Sequence, residues 1–497
     1  MYDIIIIGAG ICGTSVAREL SKYDLKVALL DKSNDVSNGS TKANSAIVHA
    51  GYDPEPGTLM AKYNTLGNPM FDKLCHDLCV PFKRIGSLVL AFNDEDKKTI
   101  QELYDRGIQN NIPDMKIITP SEIKKIEPQV SDNVVEALYA PTAGIVGPWE
   151  LAIALTENAM DNGVELLLNQ EVTNIKPEKD IFHITTTTDH FQAKVVVNAA
   201  GVFADKINNM VSQNKIEIRP KRGEYFVLDK NAGKTVHHVL FPTPNEKGKG
   251  ILVTPTVHGN VLVGPNSVYI DEKEDKATTS DGLAEVRTAG HKTMENISYR
   301  DTINIFSGIR AEPENGDFII GEAADVKNFI NIAGIKSPGL SAAPAIAIDV
   351  VEIIKNCLQD VKKNKNFNPL RKKQIHFAEL SNEEKQKLIA KNPQYAHVIC
   401  RCENITEGEI VDSIHRNAGA CTIDGVKRRT RPGTGRCQGG FCMPHVMKIL
   451  ARELNLPMEK VMKDEQNSPT ITGETKNGTD DKIHYQKKKV KEVELNG

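Results

Sequence analysis

The run Ile4-Ile5-Ile6-Ile7-Gly8-Ala9-Gly10-Ile11-Cys12-Gly13 decides the fold, together with the helical spacing of Cys12–Lys22 and the second apolar run Lys26–Leu30 that ends at Asp31. Four consecutive isoleucines bounded by glycine read as a short buried strand, so strand, tight turn, helix and strand follow in the order of a βαβ unit. In Gly8-x-Gly10-x-x-Gly13 the first glycine allows the turn and the second lets backbone amides approach a pyrophosphate. The third permits close helix–strand packing, and the helix N-terminus then faces the anion. Asp31 lies 18 residues beyond Gly13, at a strand end where a carboxylate can accept hydrogen bonds from ribose hydroxyls. Alone, the motif separates neither NAD from FAD nor a nucleotide site from an empty glycine-rich turn. Cys12 reads as filling space at the helix start rather than as a reactive thiolate.

Outward from this unit, a helical stretch at Pro148–Asn162, a strand at Val164–Leu168 and the apolar run Ala193–Ala199 continue the same style. Gly223–Leu228, His238–Pro242 and Gly250–Gly264 differ, being rich in β-branched residues, and His258-Gly259-Asn260 reads as the turn of a hairpin. From Ile330 to Ile354 an apolar strand, a Ser337-Pro338-Gly339 turn and an apolar helix restore the first pattern. The expected fold is α/β: a Rossmann-like dinucleotide domain from residues 1–80, 145–215 and 316–365, with an antiparallel α+β substrate domain, 81–144 and 216–315, inserted into it. A linker at 366–394, a cysteine-rich module at 395–455 and a flexible tail at 456–497 complete the chain. Lys362, Lys363, Lys365, Arg371, Lys372 and Lys373 fall in a run that reads as a solvated linker, and Lys487-Lys488-Lys489 as part of the tail.

With 497 residues, a small stapled scaffold is excluded. Lys+Arg 62 against Asp+Glu 65 gives a net charge of −3, which argues against a dedicated nucleic-acid binder. The start Met1-Tyr2-Asp3 has no basic n-region, and no apolar run reaches the roughly 18 residues that span a bilayer. A cytoplasmic, reducing location is therefore expected, in which clustered cysteines signify metal or redox chemistry.

Several ordered segments carry a family resemblance: Gly8–Gly13, Asn44-Ser45 with Ile47-Val48-His49-Ala50-Gly51, Asn198–Gly201, Arg222–Tyr225, Ser307–Arg310 and Ser337–Ser341. Together they resemble the D-amino-acid-oxidase-type FAD-dependent oxidoreductases, in particular the type II glycerol-3-phosphate dehydrogenases and the L-2-hydroxyglutarate dehydrogenases. The resemblance covers roughly residues 1–360. It implies FAD held by Gly8, Gly10, Gly13, Asp31, Lys32, Thr41, Asn44, Ser45, Val172, Ala200, Gly201, Gly339, Leu340 and Ser341. It also implies a small anionic substrate near Gly51, Tyr225, Arg310 and Lys336, oxidised by hydride transfer to flavin N5.

Oxidising a secondary alcohol needs a proton acceptor, cations for the acid group and alignment of the C–H bond. His49 is the candidate base, its ordinary pKa lying near neutrality; a buried structural histidine is the competing reading. Arg310 suits bidentate capture of a phosphate or carboxylate, against a structural pair with Glu312 or Glu314. Lys336, before the Ser-Pro-Gly turn, resembles a lysine of the glycerol-3-phosphate dehydrogenases and tips the expected substrate towards sn-glycerol 3-phosphate. Tyr225 is expected to close the pocket. His258 is read as a turn residue only.

Cys400-Arg401-Cys402 and Cys437–Cys442 bring four of nine cysteines into two close pairs. This is a soft ligand set that suits a [2Fe–2S] cluster or tetrahedral zinc, and a metal-free remnant stays open. Cys421 reads as a core residue. Residues 400–442 resemble the bacterioferritin-associated-ferredoxin-like [2Fe–2S] domain, departing from it in the longer second spacing. The combined expectation is a dehydrogenase that passes electrons from flavin through the cluster to a second flavoprotein subunit or a quinone-linked acceptor, with peripheral membrane association open. L-2-hydroxyglutarate or another hydroxy or amino acid is the alternative substrate, and a non-catalytic electron-transfer subunit the alternative of another class.

Overall fold

The structure is a computed structural model that describes residues 1–244 and 250–473. At its centre, β1 (Tyr2–Ile7) is flanked in parallel by β2 (Val27–Leu30) and by β4 (His190–Asn198). Beyond β2 lies β3 (Glu165–Leu167), and the C-terminal end of β4 pairs in parallel with β7 (Val326–Ala333). Strands buried on both faces read as continuous apolar runs. Helices α1 (Ile11–Leu20), α2 (Pro148–Asp161) and α3 (Gly339–Cys357) pack on one face around Val16, Leu20, Leu151, Leu155, Ile346 and Val350. The βαβ reading holds, with α1 starting at Ile11 and ending at Leu20 rather than running to Lys22.

The second sheet has nine strands among the described residues. Its longest pair is β5 (Ile218–Leu228) with β6 (Thr302–Pro313), antiparallel over nearly their whole length. Register sets Lys221 opposite Arg310, Gly223 opposite Gly308 and Tyr225 opposite Phe306. Because side chains alternate along a strand, these residues share one face. The hairpin around His258-Gly259-Asn260 forms as expected, from Leu252–Pro255 and Val261–Gly264.

The cysteine-rich module folds around its own core of Ile410, Val426, Val446 and Leu450, carried by helices Glu407–His415, α4 (Ile423–Thr430) and α5 (Met443–Glu453). Three expectations are corrected around it. The basic run before it is not wholly solvated: Arg371 donates to Glu157 at 2.7 Å, Arg416 joins the same carboxylate at 2.8 Å, and buried Gln374 donates to the Arg429 carbonyl. The segment after 456 is packed as far as Ile471, with Val461 in the module's core and Asp464 bonded to Lys42 at 2.8 Å and Arg428 at 2.7 Å. Partners hundreds of residues away rescue charges that local polarity marks as solvated. The lysines 487–489 lie outside the described residues. Cys421 is not core: it is exposed, and its thiol donates to the Asn34 carbonyl at 3.3 Å.

The fastening between module and first domain centres on Asp35, 2% exposed, whose carboxylate accepts from Arg428 at 2.8 Å and from Arg429 at 2.7 Å. Burial alone would raise its pKa, but Arg429 and then Arg428 hold it well below the usual carboxylate range. Such a depressed carboxyl contributes stability above its unfolded pKa of about 3.9 and loses it only as pH falls towards the folded value. Removing it leaves the buried Arg429 guanidinium without its anion and Arg428 with Asp464 alone. Asp35→Ala is therefore expected to destabilise the protein by about 3–5 kcal/mol. Thermal unfolding at pH 7 checks this, and an unchanged Tm would contradict it.

Candidate active site

The glycine turn after β1 is shaped for close backbone approach. Gly8 adopts φ +108°, and a Cβ there would fall 2.4 Å from the Ala199 carbonyl oxygen at the end of β4. A Cβ on Gly13 would fall 1.9 Å from the Gly8 oxygen, so α1 packs against the turn only with glycine at this position. Beside this junction Gly39 and Gly201 face open space, with no atom within 4 Å of an added Cβ. Thr41 crosses to α1 and accepts from the Ile11 N–H at 2.9 Å, and Asn44 bonds the Thr41 carbonyl at 2.8 Å, closing the loop over the helix start. Asp31 accepts from the amides of Ala9 at 2.7 Å and Ser33 at 2.8 Å, and burial pushes its carboxyl up. Ala200 follows β4 against Gly8, buried Val172 begins the strand at the sheet edge opposite β3, and Lys32 pairs with Glu274 while lying 3.9 Å over the Phe203 ring. An open groove edged by small residues, a helix N-terminus and a strand-end carboxylate fit the pyrophosphate and ribose of a dinucleotide. Burial raises Cys12 to about 12, so it stays a thiol and fills space as expected.

At the far end of this groove the candidate catalytic residues meet. The His49 amide donates to Ser341 Oγ at 2.8 Å, in the first turn of α3 beside Gly339 and Leu340, and its Nε2 lies 3.3 Å from Ser337 Oγ. Asn64 and Asn68 both donate to the His49 carbonyl, which fixes the backbone. The adjacent Lys336 bonds Glu312 at 2.5 Å, and Glu312 sits two residues from Arg310 on β6. His49, Lys336 and Arg310 are thus tied through Ser337 and Glu312. Gly51 lines a small cavity with His49, Phe241 and Pro338.

Arg310 is not in the ion pair that sequence leaves open for it. Glu312 is taken by Lys336, and the Arg310 guanidinium contacts only neutral acceptors, Asn266 O at 3.2 Å and Ser267 Oγ at 3.4 Å. Its charge stays available for an anion. Lys221, opposite Arg310, adds a further cation whose pKa is lowered by burial and by Arg310 and Lys336. No local motif marks Lys221; only sheet register places it here. Tyr225 is buried, stacks on Phe306 at 4.6 Å and bonds Ser45 Oγ at 3.1 Å, joining the substrate sheet to the cofactor loop. His258 is more than a turn residue, since its Nε2 lies 2.9 Å from Glu150 in the first turn of α2. The 108-residue separation hides that contact from sequence.

In the module, the Cys402 and Cys437 sulfurs lie 3.7 Å apart and Cys400 is hydrogen-bonded to Cys442. The Cys442 contact, with the amides of Glu403, Gly433 and Cys402, lowers Cys400 to about 6. Amides of Phe441, Gly439 and Gly440 lower Cys437. Among the described residues no group of three or more His, Cys, Asp or Glu closes on a single ion. Two thiol pairs with converging amide donors suit a two-iron cluster, whose sulfurs such amides stabilise. A cavity of about 350 Å³ runs from Ala43 and Asn44 on the cofactor loop to Thr434 and Gln438 beside these cysteines.

A Rossmann-like domain interrupted by an antiparallel sheet, with histidine and cations gathered where the cofactor groove meets that sheet, defines a dinucleotide-dependent oxidoreductase. Residues 3–353 match the model of the FAD dependent oxidoreductase family, and the chain belongs to that family. Residues 398–452 match the BFD-like [2Fe-2S] binding domain, so FAD and a [2Fe–2S] cluster are the two cofactors. The chain is 53% identical to a glycerol 3-phosphate dehydrogenase of Caloramator mitchellensis over 96% of its length and 99% of the relative's. It is 35% identical to a glycerol 3-phosphate oxidase of Mycoplasma genitalium, over 74% of this chain and 97% of that one. Among solved structures, the dithionite-reduced L-alpha-glycerophosphate oxidase of Mycoplasma pneumoniae with FAD bound superposes with a TM-score of 0.71 at 31% identity. The match covers 74% of this chain and 98% of that chain.

The tightness at Gly13 gives a direct check on the cofactor groove. Gly13→Ala is expected to cost about 1–3 kcal/mol through overpacking and to lower FAD content on purification, read by absorbance at 450 nm after denaturation. Full flavin occupancy with unchanged Tm would contradict the placement.

Proposed function

We propose that this enzyme oxidises sn-glycerol 3-phosphate to dihydroxyacetone phosphate and passes the electrons through its C-terminal module to a separate acceptor, in the cytoplasm. The observation that carries the reading is the tie between His49 and the cation set, Ser337 on one side and the Lys336–Glu312 pair on the other, with Arg310 free of any carboxylate among the described residues. Arg310, Lys221 and Lys336 against the single carboxylate Glu312 leave a positive surplus that suits a phosphate dianion. The glycerol 3-phosphate activities of the relatives supply the rest of the substrate.

FAD, when bound, supplies the acceptor for the hydride of the carbinol carbon. His49 takes the hydroxyl proton at Nε2, the substrate hydroxyl replacing Ser337 Oγ as the partner of that nitrogen. Arg310 holds the phosphate, and Lys336, steadied by Glu312, fixes the far end of the site. Tyr225 and Phe306 wall the site with an apolar pair and limit water. The cavity joining Asn44 to Gln438 supports the route towards the cluster. Among the described residues no helix is long and apolar enough to cross a membrane.

Anaerobic addition of a substrate panel tests the choice of substrate. Glycerol 3-phosphate is expected to bleach the flavin band within the mixing time of a cuvette, and L-2-hydroxyglutarate to leave it unchanged; the reverse pattern would overturn the reading.

A further inference from the structure

The cysteine module presents one surface that the catalytic account does not use. Phe441 is 81% exposed, the most exposed large hydrophobic side chain among the described residues, and it stands directly before Cys442. Burying such a ring removes apolar area from water, so leaving it exposed carries no stability benefit for the folded chain. Arg401 lies between Cys400 and Cys402, and Arg436 directly precedes Cys437. Contact of Cys402 with Cys437 and of Cys400 with Cys442 brings these three residues round the same thiol cluster. Both arginines are exposed, and among the described residues neither takes part in an ion pair or a side-chain hydrogen bond. Exposed Lys448 follows on α5. Glu403, next in sequence to Cys402, is already engaged by Lys230 at 2.9 Å and Arg431 at 3.2 Å.

We propose that Phe441, with Arg401 and Arg436 on the same thiol cluster, is the docking surface for an acidic one-electron carrier protein. This rests on the reading of the module as an electron relay. An aromatic anchor with unpaired cations around it is the arrangement of an interface centre and rim, and like-signed rim charges steer a partner of opposite sign. Glu403 being consumed internally keeps the rim positive. Amides of Phe441, Gly439 and Gly440 bond the Cys437 sulfur, so the backbone that carries Phe441 is held against the thiols. Each docking event reduces the carrier by one electron and oxidises the module by one, so two carriers are served for each alcohol oxidised to ketone.

The test uses the holoenzyme and two purified probes, a flavodoxin of net negative charge and a mitochondrial cytochrome c of net positive charge. Binding of each oxidised probe to the oxidised holoenzyme is read by fluorescence anisotropy. Flavodoxin is expected to bind with a Kd that weakens at least tenfold between 50 and 500 mM NaCl, and about tenfold in Phe441→Ala or in the double variant Arg401→Glu/Arg436→Glu. Cytochrome c is expected not to compete. Iron content and the visible circular dichroism of the cluster are measured on each variant, so that a lost cluster is recognised; Phe441→Leu, which keeps the apolar anchor, is expected to retain most of the affinity. Equal flavodoxin affinity in all variants, or preference for cytochrome c, would overturn the docking surface. Failure of substrate to reduce the cluster in the unaltered enzyme would instead overturn the relay, and the binding measurement is independent of it.

Discussion

Replacing His49 with alanine is expected to slow anaerobic flavin reduction by sn-glycerol 3-phosphate about 10²–10⁴-fold, the range typical of losing a positioned general base. The imidazole is held on two sides, its backbone by Ser341, Asn64 and Asn68 and its ring by Ser337. Those contacts make the effect separable from folding, since the backbone bonds survive in the variant. Substrate affinity, read from the concentration dependence of the rapid-mixing rate, should change little because the phosphate is held elsewhere. Raising the pH is expected to restore part of the rate, as substrate alkoxide becomes more accessible without the base. A His49→Ala enzyme that is reduced as fast as the original would remove the histidine from the chemistry.

Arg310→Ala should act on binding instead. Truncating one side of a charge-assisted contact in a partly buried site costs about 2–5 kcal/mol, so KM is expected to rise by about 30-fold to several thousand-fold. The value should lie towards the lower end because Lys221 and Lys336 remain. Arg310→Lys keeps the charge but loses the planar fork and the contacts to Asn266 and Ser267, and is expected to recover only part of the loss. Steady-state kinetics on both variants check this; an unchanged KM with a collapsed kcat would place Arg310 in the chemical step and not in anion capture.

Much of the fold was legible because its signals are local. The isoleucine run, the three glycines and Asp31 lie within one short unit, and each residue type answers a demand made by its immediate neighbours. His49, Arg310 and Lys336 could be named for the same reason, from segments with recognisable order. What joins them could not be read. Glu312 reads in sequence as a partner of Arg310, two residues away, yet the chain path gives it to Lys336, 24 residues on. Lys221 becomes part of the site only through the β5–β6 register, and His258 meets Glu150 only because the hairpin tip reaches α2. Asp35 has no motif at all, being defined by two arginines almost four hundred residues later. The segment after residue 456 reads as a tail on the same ground, since Asp464 looks solvated until Lys42 and Arg428 are brought to it.

Substrate electrons are expected to cross from the flavin to the C-terminal cluster within one chain. Stopped-flow absorbance during anaerobic mixing with sn-glycerol 3-phosphate, paired with freeze-quench electron paramagnetic resonance at the same times, tests it most directly. Flavin bleaching is expected first, then a [2Fe–2S]⁺ signal rising at a rate no faster than the bleaching, and no such signal in Cys402→Ser. Complete flavin reduction with a cluster that stays oxidised, in an enzyme holding full iron and sulfide, would contradict it.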